Sequence, residues 1–365
     1  MFDRASALST VAFLASFRPH PLLWNGHAQT LAAAYLMPAP RLETTERHLV
    51  HLDDGDRLAL HDDCPADWRP GDRCVLLIHG LSGCHGSPYL RRITSKLMRE
   101  GKRVFRLDQR GSGAGALLAN FTYHSGRSQD VTATCRLIGA LTDESPLAVA
   151  GFSLGGNLTL KMVGDHSHPV PGNVDRVMAV CPPVELSACL DRLAIGLNRF
   201  YDRYFAKSCV QQVLSRARQL PEFALPDAWR CADDEVSKVK SSLGRGAVAC
   251  QTASGWVAFR QPRGMREFDD AFTAPLAGYP SGEVYYDRCS SAQFVPTITT
   301  PTLIIASQDD PMIPPETILR LDRPANVQVE MAPGGGHLGF IGQGRHQWTD
   351  GCWLDARIAT WLRAA

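Results

Sequence analysis

Residues 149–160 read VAGFSLGGNLTL, with Ser153 held between Gly151 and Gly155 in the pattern G-F-S-L-G. As a glycine-rich turn this stretch would say little. As a strand, a tight turn and a helix it would hold a serine hydroxyl at the edge of a sheet. The apolar run Leu147–Ala150 before it and the segment L-G-G-N-L-T-L-K-M after it favour the second reading, because strand–turn–helix is the setting the G-x-S-x-G pattern requires. Glycine at 151 and 155 removes Cβ atoms that neighbouring segments would meet around a strained turn. The start of the helix behind Ser153 offers unpaired N–H groups and a dipole suited to negative charge. The pattern arises by chance in roughly one chain in ten of this length, so the rest of the sequence must supply its context.

That context is an alternation of short apolar runs with helix-length segments. Cys74–Ile78, Arg103–Leu107, Leu147–Ala150, Arg176–Val180, Thr302–Ala306 and Val327–Met331 read as strands. Tyr89–Glu100, Ser128–Leu141, Leu154–Gly164, Pro315–Leu321 and Trp353–Arg363 read as helices. Continuous apolar strands separated by helices predict an α/β fold, with a mostly parallel sheet covered on both faces. From about Val184 to Tyr279 the alternation stops. No strong strand signal occurs there, and Leu190, Leu193, Leu197, Phe200, Tyr204 and Phe205 recur at helical spacing. A long insertion between core strands reads as a helical cap, since structureless loops of that size are rare. The expected organisation is an N-terminal helix and leader (1–45), the first part of the core (46–183), the cap insertion (184–280) and the second part of the core (281–365).

The chain has 365 residues, 44% hydrophobic and 21% charged, with formal net charge +1. It is long enough to bury a large core. No basic stripe appears, so nucleic acid is not an expected partner. Ala5–Phe17 is too short to span a bilayer and lacks a clean cleavage site, so it reads as an amphipathic helix. A weak membrane-surface contact through that helix is the one partner expected besides a small substrate. Eleven cysteines without a C-x-x-C pair read as free thiols in a reducing cytoplasm. His166 and His168 lack further ligands at metal-binding spacing, so no metal is expected.

A serine nucleophile needs a base and an acid, and on this kind of sheet they follow in the order Ser, acid, His at the ends of later strands. Order leaves His337 and His346 among the twelve histidines. His337 lies in P-G-G-G-H-L-G directly after a strand, whereas His346 has no strand before it and reads as a surface residue. The acid belongs after Thr302–Ala306, where Asp309 and Asp310 stand side by side. Two backbone N–H groups should hold an oxyanion: that of Leu154, and that of Leu81 in the loop H-G-L-S-G. The run G-S-G-A-G at 111–115 has the wrong spacing for a dinucleotide loop, and no G-K-[ST] occurs in the sequence, so no cofactor is expected. His124 precedes the serine and reads as a structural hydrogen-bonding group.

Taken together, the motifs resemble the α/β-hydrolase superfamily and, within it, the YheT-like branch of predicted esterases. The resemblance rests on W-N-G-H-A-Q-T-L at 24–31, H-G-L-S-G at 79–83, R-G-S-G at 110–113, Y-H-S-G at 123–126 and G-F-S-L-G-G-N at 151–157. It continues through E-F-D-D-A-F-T-A-P at 267–275, Y-Y-D-R-C-S-S at 285–291 and D-D-P at 309–311. It implies an α/β-hydrolase fold and hydrolysis of carboxylic esters, short- to medium-chain or lipid-like, with the triad Ser153, Asp310 and His337. The choice of Asp310 over Asp309 rests on the superfamily register in which two residues and an Ile-Pro pair, here Ile313-Pro314, follow the acid. Acyl transfer or thioester hydrolysis with the same triad is the alternative, and a hydrolase-like binding protein without turnover is a further one. The segment around 232–263 departs from the family pattern.

Overall fold

The computed structural model describes residues 17–42, 44–244, 246–343 and 350–363. The expected helix over Ala5–Phe17 falls, but for Phe17, outside the described residues, as does His346. The first described helix is α1 (Gly26–Tyr35), capped by the Asn25 side chain, which accepts from Ala28 N–H at 2.8 Å. The core then runs β1 (Glu46–His51), β2 (Arg57–Asp63), β3 (Cys74–Ile78), α2 (Pro88–Met98), β4 (Arg103–Asp108), α3 (Ser128–Leu141), β5 (Leu147–Phe152), α4 (Leu154–Gly164) and β6 (Val174–Val180). An excursion follows with α5 (Leu186–Leu193), α6 (Arg199–Ala217), β7 (Arg230–Cys231), α7 (Val236–Leu243), β8 (Ala247–Thr252) and β9 (Gly255–Arg260). It continues through α8 (Met265–Phe268), a π-helical turn (Asp269–Thr273), α9 (Ala274–Leu276) and α10 (Gly282–Cys289). The core resumes with β10 (Thr302–Ser307), α11 (Pro315–Leu319), β11 (Val327–Ala332) and α12 (Trp353–Arg363).

Eight strands form one sheet in the order β1-β2-β4-β3-β5-β6-β10-β11. The six strands anticipated from their apolar runs are its parallel part. Every residue of β3 and β5 is buried, which is why their sequences do not alternate. Crossover helices must then cover both faces; α2 packs with α12, and α3 with α4. Asp355 on α12 accepts from Arg92 Nε and Lys96 Nζ of α2, both at 2.6 Å, so the buried charges are matched across that contact. The sequence reading missed β1 and β2, an antiparallel hairpin that extends the sheet at one edge. β1 mixes polar and apolar residues, as in E-R-H-L-V-H, because it is the half-exposed edge strand. The polar residues that interrupt β2 are instead buried and paired, His61 with Asp108, Asp62 with Arg103 and Asp63 with Arg106.

The stretch without expected strands also holds a three-stranded antiparallel sheet, β7-β9-β8. β8 and β9 form a hairpin whose two-residue turn, Ala253-Ser254, leads into Gly255 at φ +122°. The hairpin is short and its apolar residues are spread over both strands, so no single run marks it. With α6 and α8 it encloses a second apolar cluster, which includes Val213, Phe223, Trp229, Phe259, Phe268 and Phe272.

Strand direction decides where the connecting loops gather. Four parallel strands send their carboxyl ends to one edge, and the loop Gly80–Gly83, Ser153, Asp310 and His337 follow β3, β5, β10 and β11 there. Such an edge is where open α/β sheets place ligand sites.

Candidate active site

Ser153 sits at φ 53° and ψ −120°, a conformation a non-glycine residue adopts only when its surroundings enforce it. The surroundings are close backbone. A Cβ on Gly151 would lie 2.2 Å from Gly155 O, and one on Gly155 would lie 2.5 Å from Ile78 O. The chain reverses within one residue because both positions lack that atom. Ser153 N–H donates to Val180 O of the neighbouring strand at 2.8 Å, which fixes the turn to the sheet.

Three expected residues meet at this point. Ser153 Oγ donates to His337 Nε2 at 2.9 Å, and His337 Nδ1 donates to Asp310 Oδ2 at 2.9 Å. The tautomer follows from the partners: a carboxylate only accepts, so Nδ1 carries the proton and Nε2 is free to receive one. Asp310 is buried, and its other oxygen, Oδ1, accepts from Met312 N–H at 2.8 Å and Ile313 N–H at 3.0 Å. Asp309 turns elsewhere. Its Oδ1 accepts from Ser307 Oγ at 2.5 Å and Gly336 N–H at 2.8 Å, so it braces the loop just before His337.

Beside Ser153, Gly80 comes so near that a Cβ there would lie 2.9 Å from Ser153 Cβ. The amides around Leu81 are engaged: Gly80 N–H donates to Tyr89 Oη at 3.2 Å, and Ser82 N–H to Tyr123 Oη at 2.7 Å. Leu81 N–H and Leu154 N–H have no hydrogen-bond acceptor among the described residues, and both residues line the cavity that contains Ser153. His79 is fully buried, which lowers its pKa and keeps it neutral. Its Nδ1 donates to Gly80 O at 2.7 Å, and its Nε2 accepts from Gln109 N–H at 3.3 Å, so it stiffens the loop.

Several motif residues support the site in ways the sequence reading did not assign. In α1, Thr30 Oγ1 accepts from His337 N–H at 2.8 Å and donates to Gly26 O at 2.6 Å. Gln29, fully buried, bonds Ile341 from both ends of its amide, at 2.9 and 2.8 Å. The W-N-G-H-A-Q-T-L stretch is thus the cradle of the histidine loop. Asn157 donates to Ser125 O and Cys289 O and accepts from Ser291 N–H, tying the Y-H-S-G and Y-Y-D-R-C-S-S segments to the helix behind Ser153. Arg110 is paired with Asp130, Asp54 and Asp56, which anchors the loop after β4. His124, expected as a structural hydrogen-bonding group, accepts from Gly126 N–H at 3.1 Å, and burial lowers its pKa to about 3, so it stays neutral.

The cavity in front of Ser153 has about 1040 Å³ of empty space, mouth included. Leu186, Leu190, Leu193, Phe205, Val213 and Phe268 make much of its wall, which suits an apolar chain. Two polar groups in the wall were not singled out from sequence. Arg216, buried on α6, donates to Ala116 O at 2.9 Å, Ala119 O at 2.5 Å and Phe121 O at 3.1 Å, and burial lowers its pKa to about 10. Asp269 opens the π-helical turn and accepts from Thr273 Oγ1 at 2.6 Å and Tyr286 Oη at 3.0 Å. Burial pushes Asp269 up to about 7.

His61 and His85 stack at 3.6 Å and both bond Asp108 Oδ2, at 3.0 and 2.7 Å. An ion equidistant from two stacked nitrogens would lie far out of both ring planes, so the arrangement suits shared protons rather than metal ligation. It holds His85 N–H to Asp108 Oδ1 at 2.6 Å and so steadies the far end of the Leu81 loop. His166 and His168 are exposed and stand apart from the site.

Comparison with known proteins adds four findings. Residues 73–343 match the family described as alpha/beta hydrolase fold. The chain is 28% identical over 350 residues to the putative esterase YheT of Escherichia coli, covering 95% of this chain and 93% of that protein. It is 24% identical to the human phospholipase ABHD3 over 89% of this chain and 74% of that protein. Among solved structures, the Pyrococcus furiosus esterase PF2001 superposes with a TM-score of 0.52 at 15% identity, covering 90% of this chain and 97% of that one, a likeness of fold. No described helix is long and apolar enough to cross a membrane.

Proposed function

The chain belongs to the alpha/beta hydrolase fold family, and from that premise we propose that it is a serine hydrolase that cleaves carboxylic esters through an acyl-enzyme. The observation that carries this reading is the unbroken hydrogen-bond chain from Ser153 through His337 to Asp310 at the head of an apolar cavity. Ser153 Oγ attacks the ester carbonyl while His337 Nε2 takes its proton. Asp310 holds the imidazole in the required tautomer and stabilises its cation. The N–H groups of Leu81 and Leu154 receive the oxyanion; fixed dipoles of this kind are worth about 3–4 kcal/mol each in the transition state. His337 returns the proton to the departing alcohol, and water, activated by the same imidazole, releases the acid.

The substrate class follows from the wall. An apolar cavity favours short- to medium-chain acyl groups or lipid-like esters, and a relative named as a phospholipase is consistent with the lipid end of that range. The polar groups Asp269 and Arg216 interrupt the wall and limit how far a purely apolar chain can reach without leaving a buried polar group unpaired. A series of p-nitrophenyl esters of rising chain length tests the reading. Turnover that rises and then falls with length, and that is lost in Ser153→Ala, supports it. Absence of ester turnover across the series contradicts it.

A further inference from the structure

Nine of the thirteen large hydrophobic side chains exposed among the described residues lie on two short segments. Leu22, Trp24, Leu31, Tyr35 and Leu36 belong to α1 and its flanks, and Ile195, Leu197, Phe200 and Tyr204 belong to the start of α6 and the residues just before it. Scattered single apolar residues on a surface need no explanation; a concentration of this kind does. Trp24 is 78% exposed and Leu197 79% exposed, so both project fully into solvent. His27 and Tyr201 join the two segments. His27 stacks on Tyr201 with its Nδ1 3.0 Å from Tyr201 Oη. Leu31 and Tyr35 follow His27 at four-residue steps, and Leu197, Phe200 and Tyr204 run beside Tyr201, so the two stripes flank this pair.

The charge beside the patch identifies what it fits. Arg199, Arg203 and Lys207 recur at four-residue steps along α6 and line a shallow groove with Leu197, Phe200 and Tyr204. All three are exposed, and none has a carboxylate partner among the described residues. Asp202, the acidic residue between them, is occupied by Met265 N–H at 2.8 Å. Exposed aliphatic and aromatic side chains bordered by unpaired cations are the composition of a surface that seats in the headgroup layer of a bilayer. A second copy of the chain fits less well, because a twofold contact sets a patch against itself and would oppose the two cationic stripes.

We propose that the α1–α6 face docks on a bilayer containing anionic lipid. The opposite side of α6 supplies Phe205, Cys209, Gln212, Val213 and Arg216 to the cavity wall, so a docked molecule would hold its cavity one helix away from the lipid. The inference stands on the patch and not on the identity of the ester cleaved.

The test is flotation of the full-length protein with vesicles of phosphatidylcholine alone or mixed with phosphatidylglycerol. The wild type should float with the mixed vesicles, less in high salt, and weakly with phosphatidylcholine alone. The paired charge reversal Arg199→Glu/Arg203→Glu should lower binding to mixed vesicles at least roughly tenfold, since each basic residue at an anionic surface contributes a factor of about five. Leu197→Ser/Phe200→Ser should lower binding to both kinds. Both variants should keep wild-type turnover of a water-soluble ester, which shows that they fold. The proposal is overturned if the wild type does not float with mixed vesicles, or if the variants float as the wild type does. It is also overturned if light scattering finds a dimer that Phe200→Ser dissociates while vesicles capture nothing. Loss of the catalytic reading would leave the flotation results unchanged, so the two failures are distinguishable.

Discussion

Replacing Asp310 by asparagine separates the geometry of the site from its chemistry. In Asp310→Asn the new carbonyl can stay on Met312 N–H and Ile313 N–H, where Asp310 Oδ1 now accepts at 2.8 and 3.0 Å. The amide NH2 then faces His337 Nδ1 in place of Oδ2. A donor there forces Nδ1 to accept, so the imidazole proton moves to Nε2 and points at Ser153 Oγ. The base is then blocked in a site whose atoms have hardly moved. Loss of the tautomer costs roughly 10⁴ in kcat in triads of this kind, about 5 kcal/mol at 1.36 kcal/mol per factor of ten. Asp309→Asn is the matched control. Both contacts of Asp309 fall on Oδ1, from Ser307 Oγ and Gly336 N–H, and an asparagine carbonyl can accept both. Its effect should stay below roughly tenfold in kcat. Asp309→Ala removes the acceptor for Gly336 N–H and should cost about 1–3 kcal/mol of stability. The assay is kcat on one soluble ester for all three variants, with thermal melts alongside. If Asp309→Asn is the folded, inactive variant and Asp310→Asn works, the assignment of the acid is wrong.

Asp269 gives a pH-dependent outcome. The unfolded carboxyl ionises near 3.8 and the folded one near about 7, so the folded state binds the extra proton between those values and wild-type stability falls as pH rises through that window, by about 4 kcal/mol in all. Asp269→Asn mimics the protonated form and should remove the slope, with melts that diverge from wild type between about pH 4 and about pH 7; parallel melts would count against a buried, neutral Asp269. Leu190→Trp fills part of the cavity wall and should move the preferred acyl chain to a shorter length with little change for the shortest ester; an unchanged ranking would show that the chain does not run along Leu190. Thr30→Val leaves His337 N–H without its 2.8 Å acceptor and should lower kcat by roughly ten- to a hundredfold while KM stays near wild type, measured by full saturation curves.

What the sequence made legible divides along physical lines. The parallel strands were visible because full burial makes them continuous apolar runs, and Cys74–Ile78 is found with those bounds. The edge strand β1 and the hairpin β8–β9 were not, because half-exposed strands mix polar and apolar residues and their pairing is set by tertiary contacts. Neither was β2, whose apolar run is cut short by the buried, paired residues His61, Asp62 and Asp63. The nearness of Ser153 and His337 could be argued from strand ends alone, since parallel strands deliver their following loops to one edge. Residues alone left Asp309 and Asp310 open, and their carboxylate contacts distinguish them. The support from α1 was out of reach for a different reason. Thr30 and His337 are 307 positions apart, and nothing local to A-Q-T-L says that its hydroxyl meets a backbone N–H in that loop. Asp269 reads in sequence as one of two adjacent acidic residues, and only the packing of the π-helical turn reveals that it is buried while Asp270 is not.

The central claim is that Ser153 is a nucleophile activated by His337, and active-site labelling tests it most directly. The protein is treated with a fluorophosphonate, its intact mass is measured, and the modified peptide is mapped. The account expects a single adduct on Ser153, formed far more slowly in His337→Ala and absent in Ser153→Ala. An unmodified wild-type protein, or an adduct that maps to another residue, would contradict it.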